Sequence, residues 1–284
     1  MTTLIRIPGI AKDTTLPIWR EDQFLREGTL MLIDPTNPKN PWANGVPVAG
    51  SVVPNVAANF ALATAKTGTE SSFNASVTDS VSGKPRCLVE RTSRGGIHMV
   101  IDPSAIPSPT VRSWALINNP VRAYIEAHPT HKYFMGFSGQ TTRVKISTNR
   151  DLRRRYAGYS GTNSSAFGGL HETDTGIVGS PSTNVIGERV SPAKLGIRVA
   201  DAAFSLMAVS AATSDAFFLQ STFSDLAGNP STILYSMVIH DMTVSGASYS
   251  ELDSHWNARH KSLVETKGGR YYGDTFTDPA TVTE

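Results

Sequence analysis

Cysteine is nearly absent from this 284-residue chain. Cys87 stands alone, which excludes an internal disulfide and a thiolate zinc site and allows folding in a reducing cytosol. Long apolar runs are missing too. No stretch approaches the roughly 18 consecutive apolar residues of a membrane span, so no membrane insertion is expected. The start, Met1-Thr-Thr-Leu-Ile-Arg-Ile-Pro8, lacks the basic region and apolar stretch of a secretory signal. Charge is sparse: charged residues make up 18% of the chain and the net charge is +2. A weak overall field argues against general nucleic-acid binding. No internal repeat is visible, which argues against a propeller or a solenoid.

Serine and threonine supply about a fifth of the residues, with 23 glycines and 17 prolines. This composition suits strands joined by turns. Residues 1–60 read as an N-terminal arm with turns. Within it, Asp34-Pro-Thr-Asn-Pro-Lys-Asn-Pro-Trp42 holds three prolines in seven residues, so that stretch cannot be a central strand. Residues 57–66 allow one short helix. From about 70 to 247 short apolar runs alternate with turn residues. They include Arg86–Glu90, Ile97–Ile101, Val121–Glu126, Tyr133–Phe137, Val144–Ile146, Lys194–Val199, Phe204–Val209 and Ala216–Leu219. Thr232–Ile239 is the strongest of them. A Gly/Ser-rich stretch at 157–169 reads as a break between strands. Runs recurring every ~8–12 residues predict an antiparallel jelly-roll sandwich over 61–247.

Residues 248–284 form a different unit, a helix and an extended tail. Ser248-Tyr-Ser-Glu251 is a capping box, and Tyr249, Leu252, Trp256 and Leu263 share one helical face. Gly268-Gly269 supplies the stop. The segment that follows, Arg270 to Ala280, is aromatic but too polar for a core helix.

Chemistry-bearing patterns are thin. Glu172 with Asp174 and Glu251 with Asp253 have the i,i+2 spacing that pairs carboxylates on a strand, as a glycosidase needs. The second pair falls in the predicted helix and the first in a predicted loop. His128 and His131 straddle a Pro turn, and His255 and His260 miss the i,i+4 spacing of a helical metal pair. His240-Asp241, at the end of the strongest strand, is the best single pairing, and a strand-end hydrogen bond is its plainer reading. The glycines at 161–169 are not followed by the Lys-Ser/Thr of a phosphate loop, and Gly136–Gly139 lacks nucleophile-elbow spacing. No catalytic residue, metal or cofactor is expected, and the chain reads as a binding or assembly protein. Candidate contact residues are Trp19 and Trp42 in the arm, the Arg153-Arg154-Arg155-Tyr156 cluster in a predicted exposed loop, and Tyr271, Tyr272 and Phe276 in the tail.

The sequence Ile239-His-Asp-Met-Thr-Val-Ser-Gly246, followed by Tyr249-Ser-Glu and Gly268-Gly-Arg-Tyr-Tyr-Gly-Asp-Thr-Phe-Thr-Asp-Pro-Ala280, resembles the C-terminus of virion proteins of tailed bacteriophages. His131-Lys-Tyr-Phe-Met-Gly-Phe-Ser-Gly-Gln-Thr-Thr-Arg143 resembles a middle strand pair of the same type. The resemblance implies a concanavalin A/laminin G-like jelly roll in a structural virion protein. Such a protein would be made in the host cytoplasm and associated with the tail, baseplate or fibre. Implied partners are copies of itself, with a trimer as first expectation, other virion proteins and host-surface carbohydrate. The alternatives are a capsid decoration protein, with arm and tail clamping neighbouring subunits, and a concanavalin A-like glycosidase or depolymerase. The resemblance carries over no catalytic or metal residues.

Overall fold

The computed structural model describes residues 22–39, 42, 45–46, 48, 50–78, 87–101, 112–128, 131–143, 154–160, 167–173, 176–180, 185–191, 195–200, 218–221 and 231–281; at positions 78, 87, 101, 112–117, 126, 141 and 143, and for those of its residues that fall within 154–221, it describes the backbone alone. Trp19, Arg153, Asp174 and the runs Val144–Ile146 and Phe204–Val209 lie outside the described residues.

In chain order the strands are β1 (Thr29–Ile33), β2 (Val52–Val53), β3 (Ala75–Thr78), β4 (Cys87–Arg91), β5 (Ile97–Ile101), β6 (Arg112–Ile117) and β7 (Tyr133–Arg143). There follow β8 (Arg154–Ser160), β9 (Phe167–Thr173), β10 (Gly176–Ser180), β11 (Val185–Ser191), β12 (Leu195–Ala200), β13 (Phe218–Ser221) and β14 (Ser231–Asp241). Helices are α1 (Ala58–Ala65), α2 (Asn119–Ala127), α3 (Met242–Ser245) and α4 (Tyr249–His260). The chain is thus largely β. Its described strands form a curled antiparallel arrangement of two sheets, with a few helices. One sheet runs β11-β12-β7-β14-β5-β4, with β1 also paired to β14; the other runs β10-β9-β8-β13-β6-β3-β2.

β14 organises the first sheet. One of its edges pairs with β7 along nearly its whole length; the other is shared between β5, opposite 232–234, and β1, opposite 237–240. All eleven residues of β14 are buried, as its nearly unbroken apolar sequence requires. A register shift between Leu234 and Ser236 sets the facing of its side chains. Leu234, Met237 and Ile239 join the core that also holds Val53, Val77, Val121 and Ile125, so both sheets contribute to one interior. The extra residue at the shift leaves Tyr235 and Ser236 both toward the opposite face, where α4 and the tail lie.

The expectations for α1, α4 and most strands agree with these elements. Strands β6, β10 and β11 fall where no run was expected, and four further features differ. Residues 121–126 are helical: Asn118 accepts from the Val121 N–H at 3.0 Å and Pro120 sits in the first turn. Val121, Tyr124 and Ile125 are buried on one helical face, and so short an apolar set fits either period. The arm expected over 1–60 contains β1, whose five residues are buried in the central sheet. The Gly/Ser stretch at 157–169 contains most of β8 and the start of β9, which pair with each other. Arg154, Arg155 and Tyr156 accordingly stand on strand β8 rather than in a loop, and Glu172 stands on β9.

α4 lies against the outer face of β14 and β7. Ser248 caps it by accepting from the Glu251 N–H at 3.2 Å. The return half of the expected capping box is replaced by an ion pair, Arg26 to Glu251 at 2.7 Å. Leu252 and Trp256 pack with Phe24, Leu32, Phe134 and Val238. The close approach rests on Gly136 in β7, where a Cβ would stand 2.8 Å from the Trp256 ring. One π-helical turn, Lys261–Glu265, extends the helix, and Gly268 reverses the chain at φ +91°.

Candidate functional site

The tail returns from Gly268 as a strap across the first sheet. Its anchor is Asp34, which follows β1 and is wholly enclosed. Arg259 of α4 donates to Asp34 Oδ2 at 2.5 Å, Arg270 donates to the same oxygen, and the Tyr271 hydroxyl donates to Oδ1 at 2.8 Å. Arg259 also donates to Asp22 at 2.7 Å and to Ser236 at 2.7 Å. Burial opposes the guanidinium charge of Arg259, yet Asp22 and Asp34 hold its pKa above the usual value. Burial, with Asp34 beside it, pushes the Tyr271 phenol well above its ordinary range. Tyr271 is 1% exposed, and its ring lies 4.6 Å from that of Tyr235. Further along, Asp274 accepts from the Arg94 N–H at 2.7 Å. Thr277 donates through its N–H and its hydroxyl to Glu90, at 2.8 and 2.7 Å. Phe276 meets His98 edge-on at 5.0 Å.

These contacts sort the candidate contact residues. Tyr271 is spent inside the chain. Trp42 is 5% exposed, with the Arg91 guanidinium 5.2 Å from its ring centroid. Phe276 is half-buried, whereas Tyr272 is 41% exposed. Asp34, Arg259 and Arg270 were not singled out from the sequence. Asp34 lies 225 and 236 positions from Arg259 and Arg270, and nothing local to any of them marks the meeting.

A second polar cluster forms where β14 ends, β7 begins and α2 stops. Asp241, 0% exposed, accepts four hydrogen bonds. Oδ1 takes the N–H groups of Thr243 and Val244 at 2.9 and 3.0 Å. Oδ2 takes the Tyr124 hydroxyl at 2.8 Å and His131 Nδ1 at 2.6 Å. His128 Nδ1 donates to the Tyr124 carbonyl at 2.8 Å, and the His128 ring stacks on the Tyr124 ring with centroids 4.2 Å apart. Burial, followed by Asp241 as acceptor and charge, raises the Tyr124 phenol far above its ordinary value. The neighbouring His240 serves a different purpose. It is buried between Thr29 and Ser245, each 2.8 Å from a ring nitrogen, and burial, reinforced by Arg26, pushes its pKa down to about 3. The pairing noted in the sequence therefore splits: His240 is a neutral core group, and Asp241 orients His131 instead.

The Asp241–His131 pair has the arrangement of an oriented base. Among the described residues no hydroxyl or thiol is hydrogen-bonded to His131 Nε2, so no nucleophile completes it. No group of three or more His, Cys, Asp or Glu among the described residues is placed to hold a metal ion. No described helix is long and apolar enough to cross a membrane. Compared with protein-family models, characterised proteins and solved structures, the chain matches none.

Proposed function

We propose that this chain is a structural component of a tailed-phage virion, associated with the tail, baseplate or fibre, in which a lectin-like jelly roll serves assembly and contact with host-surface carbohydrate. The observation that carries the reading is how the tail motif is used. Within Gly268–Ala280 the side chains of Arg270, Tyr271, Asp274 and Thr277 bind the sheet or the loops at its rim. Residues of this kind, spent on fastening an extended segment, serve a scaffold rather than a reaction. The large β content supports the same reading. The protein works as a homo-oligomer, and the exposed Tyr272, beside the anchored Tyr271, offers a ring for contact with a neighbouring chain or a sugar face.

Negative-stain images of purified particles labelled with antibody to the chain test the reading. Label on the tail, baseplate or fibre is expected. Label confined to the head would turn the assignment to capsid decoration, and absence from purified particles would overturn both.

A further inference from the structure

The Asp241 cluster holds two imidazoles in a way the strap does not need. We propose that His128 and His131 form a binding site for one divalent transition-metal ion of the zinc type, held through both Nε2 atoms. The inference does not rest on the virion assignment.

Hydrogen bonding fixes the state of both rings. The Tyr124 carbonyl can only accept, so His128 Nδ1 carries its proton. A carboxylate only accepts, and Asp241 takes three other donors, so His131 Nδ1 carries the proton in the fourth bond. In the neutral form each ring therefore presents a bare lone pair at Nε2. Neither Nε2 has a hydrogen-bond partner among the described residues. A metal-binding histidine characteristically donates its other ring nitrogen to a carboxylate or a backbone carbonyl, which fixes the tautomer and makes the ligand more basic. His131 has the first of these partners and His128 the second.

The spacing agrees. Zinc–imidazole bonds of about 2.0–2.1 Å put each ring centroid roughly 3 Å from the ion, and two rings at a tetrahedral angle roughly 5 Å apart. The centroids of His128 and His131 are 4.8 Å apart with the rings tilted by 42°. The rings are also held before any ion arrives. Tyr124 stacks under His128, the Tyr133 hydroxyl donates to the His128 carbonyl at 2.8 Å, and Asp241 is fixed by two backbone N–H groups. Both histidines remain partly open to solvent; the His131 side chain is 24% exposed. Asp241 has no oxygen to spare as a ligand, so two positions of a four-coordinate ion stay open for water. Imidazole donors favour zinc, nickel or copper over magnesium or calcium.

The test titrates the purified chain with cobalt(II) chloride alone, following the visible d–d bands, and then displaces the cobalt with zinc chloride. One equivalent is expected to bind. H128Q and H131Q should each weaken binding about tenfold or more, while H255Q, on the exposed side of α4, should leave it unchanged. As a readout independent of variant folding, histidine-selective 15N NMR of the unmodified chain should show zinc moving the Nε2 resonances of these two rings. Absence of binding at millimolar cobalt, undiminished affinity in either variant, or zinc-dependent shifts confined to other histidines would overturn the proposal.

Discussion

Two buried carboxylates bound to the central strand pair show what a change of partner does to the same group. Asp34 sits level with the middle of β14 and is met by two guanidinium groups and a phenol. Asp241 ends β14 and is met by two backbone N–H groups, a phenol and one imidazole. Both are fully enclosed. At Asp34 charge is balanced by charge, and the product is a clasp joining β1, α4 and the tail. At Asp241 no guanidinium takes part and one of the donors is a partly exposed ring, so the carboxylate orients a group that can still act on something outside. A buried carboxylate therefore marks structure or chemistry according to its donors.

The largest effect is expected at the clasp. Asp34→Ala would leave Arg259 buried with Asp22 as its remaining carboxylate. Breaking a buried pair in this way costs about 3–5 kcal/mol, a large share of the roughly 5–15 kcal/mol that holds a typical domain together. Urea unfolding should show the loss, and an unchanged midpoint would mean the clasp is not part of the folded core.

Acid should weaken both ends next. His240, beside Asp241, has its pKa pushed to about 3 by burial and Arg26; His260, beside Arg259, is pushed to about 4 by burial and Arg259. Both values lie below that of an unfolded histidine. The unfolded chain therefore takes up protons first as pH falls, and stability is full above about pH 6.5. Below that it should fall by about 1.4 kcal/mol per pH unit for each imidazole, until the folded-state values are reached. Melting temperatures across pH 7 to 4 measure the slope. H260Q should remove the contribution of the clasp end and leave that of His240.

Matched phenol deletions sharpen the comparison. Tyr124→Phe removes one of the four donors to Asp241 and should cost about 1.5–3 kcal/mol. Tyr271→Phe should cost less, because two guanidinium groups remain on Asp34. Denaturant midpoints of the two variants decide the order. The smallest effect is expected at the far end of the strap. Thr277→Val removes a hydroxyl bond to the partly exposed Glu90 and keeps the N–H bond, at about 0.5–1.5 kcal/mol. If it matched Asp34→Ala, the strap would be held along its length rather than at its anchor.

By itself the sequence determined the β-rich character, the strands β4, β5, β7, β12, β13 and β14, the short helix at 58–65 and the capped helix at 249. Each rests on a signal within a few residues: apolar alternation, a proline or glycine stop, or Ser248 three places before Glu251. It misread Val121–Ile125, where three apolar residues satisfy both periods and the deciding cap, Asn118, precedes the run. It also left β1 inside an arm, because five buried residues flanked by turns look like any short extended segment until β14 is beside them. The polar clusters were decided by tertiary structure alone. Asp34 meets Arg259 and Arg270, and Asp241 meets Tyr124 and His131, across separations of 110 to 236 positions. Side-chain hydrogen bonds require groups within about 3 Å, and no local pattern records which distant strand ends the fold will bring that close. His240 and Asp241 are the plainest case: they are adjacent in the chain, and strand geometry sends their side chains to different neighbours and different work.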